Sequence, residues 1–197
     1  MKYLYDHGDQ LLGVPTGFKD LDKLLGGMQQ SDLLIVAGRP GRGKTSLLMS
    51  MALNATKVHK KRVAVFSLEM SNLQLVQRMV AQETGINSQR LRLGKLEEDE
   101  WPRFTHAISL LSDTGLYLDD TPAISALQLR TKCRRLNAEI KLDMIVVDYL
   151  QLMTGDFRTD NRVQEVSHIS RSLKALAREL DVPVLTAAQL SRAVEQR

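Results

Sequence analysis

Gly38-Arg39-Pro40-Gly41-Arg42-Gly43-Lys44-Thr45 is the stretch that leaves this chain the fewest options. It follows the apolar run at 33–37 (LLIVA) and opens into Ser46-Leu47-Leu48-Met49, so strand, glycine-rich loop and helix start stand in direct succession. Glycines let backbone N–H groups turn inward around an anion, and a helix N-terminus adds its dipole. The spacing G-x-x-x-x-G-K-T also supplies an ammonium for β- and γ-phosphates and a hydroxyl for Mg²⁺. Residues Gly38 to Ser46 are therefore expected to cradle a nucleotide's phosphates. Lys44 reaches the reacting phosphoryl group, and Thr45 ligates the metal.

Composition narrows the setting. The 197 residues suffice for one well-buried domain. Apolar residues make up 43% and charged residues 25%, ordinary for a globular chain. No window approaches the roughly 18 uninterrupted apolar residues of a membrane span. The start, MKYLYDHGDQ, reads as too polar for a signal peptide. The single cysteine, Cys133, excludes an internal disulfide and lies in a helical pattern where packing is its expected role. A reducing, cytoplasmic compartment is expected. The formal charge of +4 permits a polyanionic partner, but aromatics at 5% argue against a base-stacking platform. Contacts to a nucleic acid would run through its phosphates.

Along the chain, residues 1–14 read as a linker from an upstream region with no core face, and residues 15–197 as the domain. A short helix follows at 16–27, with Thr16 as its cap, Phe18, Leu21, Leu24 and Leu25 on one face and a Gly pair as its stop. Strands are expected at 63–68, 116–118, 144–147 and 182–187. Helices are expected at 44–59, 71–84, 97–112, 125–138 and 162–180. Trp101 recurs with Phe104, Ile108 and Leu111 at helical spacing and reads as core. The basic helix at 125–138 reads as a solvated face, and 153–161 as a polar loop. Strands alternating with helices predict an α/β domain with a mainly parallel sheet, whose ligands gather at the carboxyl ends of the strands.

That rule brings Glu69, Asp119, Asp148 and Gln189 to the edge that holds the phosphate loop. Asp148 ends an apolar strand and can hold Mg²⁺ through its water shell, beside Thr45. Glu69 leaves the second strand, expected beside the phosphate strand, and can polarise the water that attacks the γ-phosphate; Ser71 is free to cap the next helix. Gln189 can hydrogen-bond the γ-phosphate or pass its state to a neighbouring loop. Asp119 and Asp120 reach the same edge with no role that Asp148 does not fill better. The four histidines show no metal-ligand spacing.

Six ordered blocks resemble the C-terminal motor domain of DnaB-type replicative DNA helicases. They are Gly13-Val14-Pro15-Thr16-Gly17-Phe18 with Leu21-Asp22, the phosphate loop, Phe66 to Ser71, Asp119 to Pro122, Ile145 to Leu152 and Pro183 to Arg192. The resemblance implies a RecA-like P-loop core, Mg²⁺-ATP hydrolysis and translocation along single-stranded DNA by a homo-hexamer, with primase and a helicase loader as partners. It also implies that Lys44, Glu69 and Gln189 carry catalysis and that Thr45 and Asp148 hold the metal. Within the phosphate loop Gly41-Arg42 stand where the family usually has Ser-Met. The family's motor domain continues to a DNA-facing loop and a basic finger that reaches the neighbouring subunit's nucleotide. The resemblance places both beyond Arg197, so the domain is expected to be truncated at its C-terminal end. Two other readings stay open: a RecA-type ATPase of DNA repair or recombination, and a nucleotide-dependent switch or loader without helicase activity.

Overall fold

The apolar segments pair only with parallel neighbours, as a chain alternating strands and helices requires. The computed structural model describes residues 12–155 and 161–190. Its strands are β1 (Leu33–Gly38), β2 (Val63–Ser67), β3 (Leu116–Asp119), β4 (Met144–Asp148) and β5 (Val184–Gln189), in the sheet order β1-β5-β4-β2-β3. The helices are α1 (Lys19–Leu25), α2 (Lys44–Lys57), α3 (Asn72–Thr84), α4 (Ser88–Arg92), α5 (Trp101–Ser112), α6 (Ala126–Ile140) and α7 (Arg162–Leu180). The expected parallel α/β architecture is what forms.

β2 and β4 are buried along their whole length, which is why they read as unbroken apolar runs. Their alternation shows in what each residue touches. Val63, Val65, Met144 and Val146 pack with Leu48, Met51, Leu75 and Met79 of α2 and α3. Ala64, Phe66, Ile145 and Val147 pack with Leu129, Cys133, Ile169 and Leu173 of α6 and α7. Burial pushes the Cys133 thiol up to about 12, helped by the nearby Asp119 charge, so this cysteine packs and does not react. Among the described residues no helix is long and apolar enough to cross a membrane.

Several local expectations need correction. Thr16 does not cap the first helix, which begins at Lys19 behind Phe18. Asp22 reaches back instead, accepting the Thr16 N–H at 2.7 Å and the Gly17 N–H at 3.2 Å, while the Thr16 hydroxyl accepts from Phe18 N–H at 3.1 Å. The inner side of α1 therefore carries a buried carboxylate, and Phe18 and Leu24 face solvent. Gly26 ends the helix in the left-handed conformation, as its position predicts. Val14, expected to lack a core face, is buried and exchanges two backbone hydrogen bonds of 2.8 Å with Met28. Trp101 is 51% exposed and meets Phe104 edge-on at 5.8 Å. The helix it begins packs chiefly on α3, and of its apolar stripe Leu111 meets the buried cluster while Trp101 and Ile108 stay exposed.

β5 runs two residues further than the sequence pattern indicates, because its register with β1 continues to the pair Gly38↔Gln189. The basic helix α6 is largely neutralised: Arg130 and Arg134 share Glu179, Arg135 pairs with Glu139, and Lys132 with Asp119. In the expected loop at 153–161, Met153 is buried, and Thr154 donates its N–H to Ile124 O at 3.2 Å; residues 156–160 lie outside the described residues, as do 1–11 and Ser191-Arg192.

Removing the Asp22 carboxylate would orphan two backbone donors, one of them fully buried. Asp22→Ala is expected to cost about 2–4 kcal/mol, and Asp22→Asn, which keeps one acceptor, about 1 kcal/mol. Urea unfolding midpoints check both; equal stabilities would show that Asp22 is not what fixes this entry segment.

Candidate active site

The phosphate loop takes its shape from where its glycines fall. Gly41 and Gly43 adopt φ of 71° and 80°, and a Cβ at either would meet nothing within 4 Å, so the requirement is backbone conformation and not space. Gly43 precedes α2, whose first turn closes when Leu47 N–H donates to Gly43 O at 2.9 Å. The leading N–H groups of α2 have no partner within the helix and face the loop's concavity. The Lys44 ammonium donates to Arg39 O at 2.9 Å, which holds it across the loop.

A cavity of about 400 Å³ opens at the carboxyl ends of the strands. Pro40, Gly41, Gly43, Lys44, Thr45 and Ser46 form its floor, and Glu69, Asp148 and Gln189 its walls. Gly38, Arg39 and Arg42 do not line it. Gly38 ends β1, where an added Cβ would lie 3.5 Å from the Lys44 side chain, and Arg42 is exposed.

Asp148 is only 1% exposed. Burial pushes its carboxyl above the ordinary carboxylate range, and the neighbouring Glu69 charge adds to this; a hydrogen bond from Thr45 and the charges of Lys44 and Arg78 oppose it. Its Oδ2 is buried without a hydrogen-bond partner. A buried, unpaired carboxylate oxygen beside a hydroxyl and at the foot of a phosphate loop fits a hydrated divalent cation. Among the described residues no cluster of three His, Cys, Asp or Glu side chains forms a metal cage, so such an ion would rest on one carboxylate and one hydroxyl.

Glu69 reaches the cavity by a different route from the one expected. β2 does not lie beside β1, because β4 and β5 stand between them. A tight turn carries the glutamate over: Ser67 donates its hydroxyl to Met70 O at 2.7 Å and accepts the Met70 N–H at 3.3 Å. Leu68 N–H donates to Asp148 O at 2.8 Å, which ties the turn to the end of β4. Ser71 then caps α3 in a reciprocal capping box with Gln74. Among the described residues the exposed Glu69 side chain has no hydrogen-bond or ion-pair partner, so it can accept a proton from water.

Asp119 and Asp120 are engaged elsewhere. Burial works to raise Asp119, but hydrogen bonds from Lys132 and Thr121 hold its carboxyl below the usual range. Asp120 accepts from the Asn72 backbone and side chain at 2.9 and 3.2 Å, anchoring α3. Sequence reasoning missed three residues of the cavity: Met70, Arg78 and Tyr149. Tyr149 follows Asp148 directly, and burial together with the Glu69 and Asp148 charges raises its phenol above its ordinary value. Arg78 lies two turns into α3 and carries no local signal in the sequence.

The comparisons with known proteins agree with this geometry. The family described as the DnaB-like helicase C terminal domain matches residues 13–197. The chain is 52% identical to the replicative DNA helicase DnaB of Geobacillus stearothermophilus and 50% identical to the replicative DNA helicase DnaC of Bacillus subtilis, in each case over 100% of this chain and 44% of the relative. It thus spans less than half the length of these relatives. Among solved structures it resembles the ATPase domain of G40P, with a TM-score of 0.92 and 31% identity over 100% of this chain and 70% of that one. It also resembles a DnaB-like replicative helicase studied with its primase interactions, with a TM-score of 0.91 and 30% identity over 100% of this chain and 48% of that one. A RecA-like ATPase fold, a complete set of phosphate-side groups and a match over almost the whole sequence place this chain in the DnaB-like helicase C-terminal domain family.

Proposed function

We propose that this chain is the ATP-hydrolysing motor of a replicative DNA helicase, which as a cytoplasmic homo-hexamer moves along single-stranded DNA and works with primase and a helicase loader. The observation that carries the reading is the convergence of Lys44, Thr45, Glu69, Asp148 and Gln189 on one cavity at a helix N-terminus. Two relatives at least 50% identical are replicative helicases by name, and one similar structure was studied with primase.

In this mechanism the backbone N–H groups of Gly43 to Ser46 and the Lys44 ammonium bind the β- and γ-phosphates of ATP. Thr45 and Asp148 would hold Mg²⁺, which when bound neutralises charge on those phosphates. Glu69 orients the attacking water and takes its proton. Gln189, at the end of β5, donates to a γ-phosphate oxygen. A cation supplied by a neighbouring subunit is commonly worth about 10³–10⁵ in rate for such chemistry. Hydrolysis is therefore expected to depend on subunit contact, with a monomeric preparation binding ATP well and hydrolysing it slowly. Strong DNA-stimulated turnover by the chain alone would overturn the need for a neighbour.

Titration with a fluorescent ATP analogue and phosphate-release assays, with and without single-stranded DNA, test the roles. Glu69→Gln should keep ATP affinity and lose about 10²–10⁴ in hydrolysis, the usual worth of a general base. Unchanged turnover would favour the switch reading. Lys44→Ala should lose ATP affinity.

Asp148 yields a separate prediction. Its folded pKa lies above the unfolded value, so below that unfolded value it costs nothing. As pH rises past about 4 the unfolded chain gives up its proton first. Stability then falls until the folded pKa is passed. At neutral pH, without Mg²⁺ or nucleotide, Asp148→Asn should melt about 2–4 °C higher than the parent, the equivalent of roughly 1 kcal/mol. The same variant should lose most of the stabilisation that Mg²⁺-ATP gives. A lower melting temperature in the ligand-free variant would show that the buried charge is not a cost.

A further inference from the structure

β4 and β5 part company just where the site begins. Their register runs from Ile145↔Val184 to Val147↔Thr186, whereas β5 continues along β1 as far as Gly38↔Gln189. Leu190 N–H donates to Gly38 O at 3.2 Å on the β1 side. Backbone groups alternate in direction along a strand, so those of Gln189 point to the other side, where β4 has already ended. A parallel strand with no neighbour there would leave an N–H and a C=O unpaired at the mouth of the cavity.

Gln151 fills the place of the missing strand. Its Nε2 donates to Gln189 O at 3.1 Å, and its Oε1 accepts the Gln189 N–H at 3.1 Å. A side-chain amide carries one donor end and one acceptor end at peptide-like spacing, and both are used here, on the same residue. Gln151 sits in the short turn Leu150–Leu152 that leaves β4 after Asp148. Its own carbonyl accepts from Arg162, the first residue of α7. Arg162 also pairs with Glu165, whose other oxygen accepts the Gly155 N–H at 3.1 Å. The stem of the β4–α7 connection is thus joined, through Arg162 and Gln151, to the backbone of Gln189, which lines the cavity.

We propose that Gln151 is a positioning residue: it fixes the end of β5 so that Gln189 is presented to the γ-phosphate, and it links that placement to the stem at Gly155 and Arg162. The proposal rests on the nucleotide-hydrolysing reading given above. Gln151 acts through Gln189, so its loss should affect the chemical step and leave ground-state nucleotide binding, held by the phosphate loop, nearly intact.

The test uses the 197-residue chain with Gln151→Met, which keeps the side-chain length and removes both hydrogen bonds, and with Arg162→Ala and the double variant. Single-turnover hydrolysis of Mg²⁺-ATP, affinity for a fluorescent ATP analogue, melting temperature and hydrogen exchange at the Gln189 amide are measured on each. Gln151→Met should slow hydrolysis about tenfold, with affinity within about twofold and the melting temperature within about 2 °C of the parent. Exchange at Gln189 should accelerate. Arg162→Ala should slow hydrolysis less, and the double variant should be no slower than Gln151→Met, because the two act in series. Hydrolysis by Gln151→Met at the parent rate, or equal losses of rate and affinity with a lowered melting temperature, overturns the positioning role. Additive losses in the double variant overturn the link to the stem. A parent chain that fails to bind Mg²⁺-ATP overturns the nucleotide reading and this inference together, whereas a parent that hydrolyses beside an unaffected Gln151→Met overturns this inference alone.

Discussion

The insertion of β5 between β1 and β4 is the pairing on which the rest depends. It places the phosphate loop at the end of β1 and the Asp148 carboxylate at the end of β4 one strand apart, with Gln189 between them. Were β1 and β4 direct neighbours, no strand end would separate cradle from carboxylate, and Gln189 would have no position in the site. The sheet order is therefore part of the chemistry, set by backbone hydrogen bonds far below the cavity.

Legibility from sequence followed the range of the interactions. The phosphate loop, the strand ending in Asp148 and the helix cap at Ser71 were readable because each is a local pattern whose physics is complete within a few residues. The two buried clusters were readable as apolar runs, though not which run faces which layer. Asp22 was read only as part of a block because its burial depends on the chain folding back over Thr16 and Gly17. Trp101 was misread because helical spacing reveals a stripe without saying how much of its length is covered. Arg78 and Gln151 are polar residues in ordinary contexts, and only tertiary placement brings them to the cavity or its edge.

Glu69 reaches the cavity, but not from a strand beside the phosphate strand. The sequence pattern suggested a second strand adjacent to the first; instead two strands intervene, and the Ser67-to-Ser71 turn spans the difference. The turn is held by the Ser67 hydroxyl and by the Leu68 bond to Asp148 O, so the backbone on either side of Glu69 is tied to the end of β4. Burial first, and the neighbouring Glu69 charge after it, raise the Asp148 carboxyl above its ordinary range.

Among the described residues β1 meets the sheet through β5 alone. In mechanical terms β5 is the beam from which the phosphate loop hangs, anchored on its far side to β4 over only three residue pairs. The helix α2, which begins where the loop ends, packs on β2, β4 and β5. The loop is therefore held from two directions, by the β1–β5 ladder behind it and by the apolar face of α2 ahead of it, and its distance from Asp148 and Glu69 is fixed by sheet and helix together.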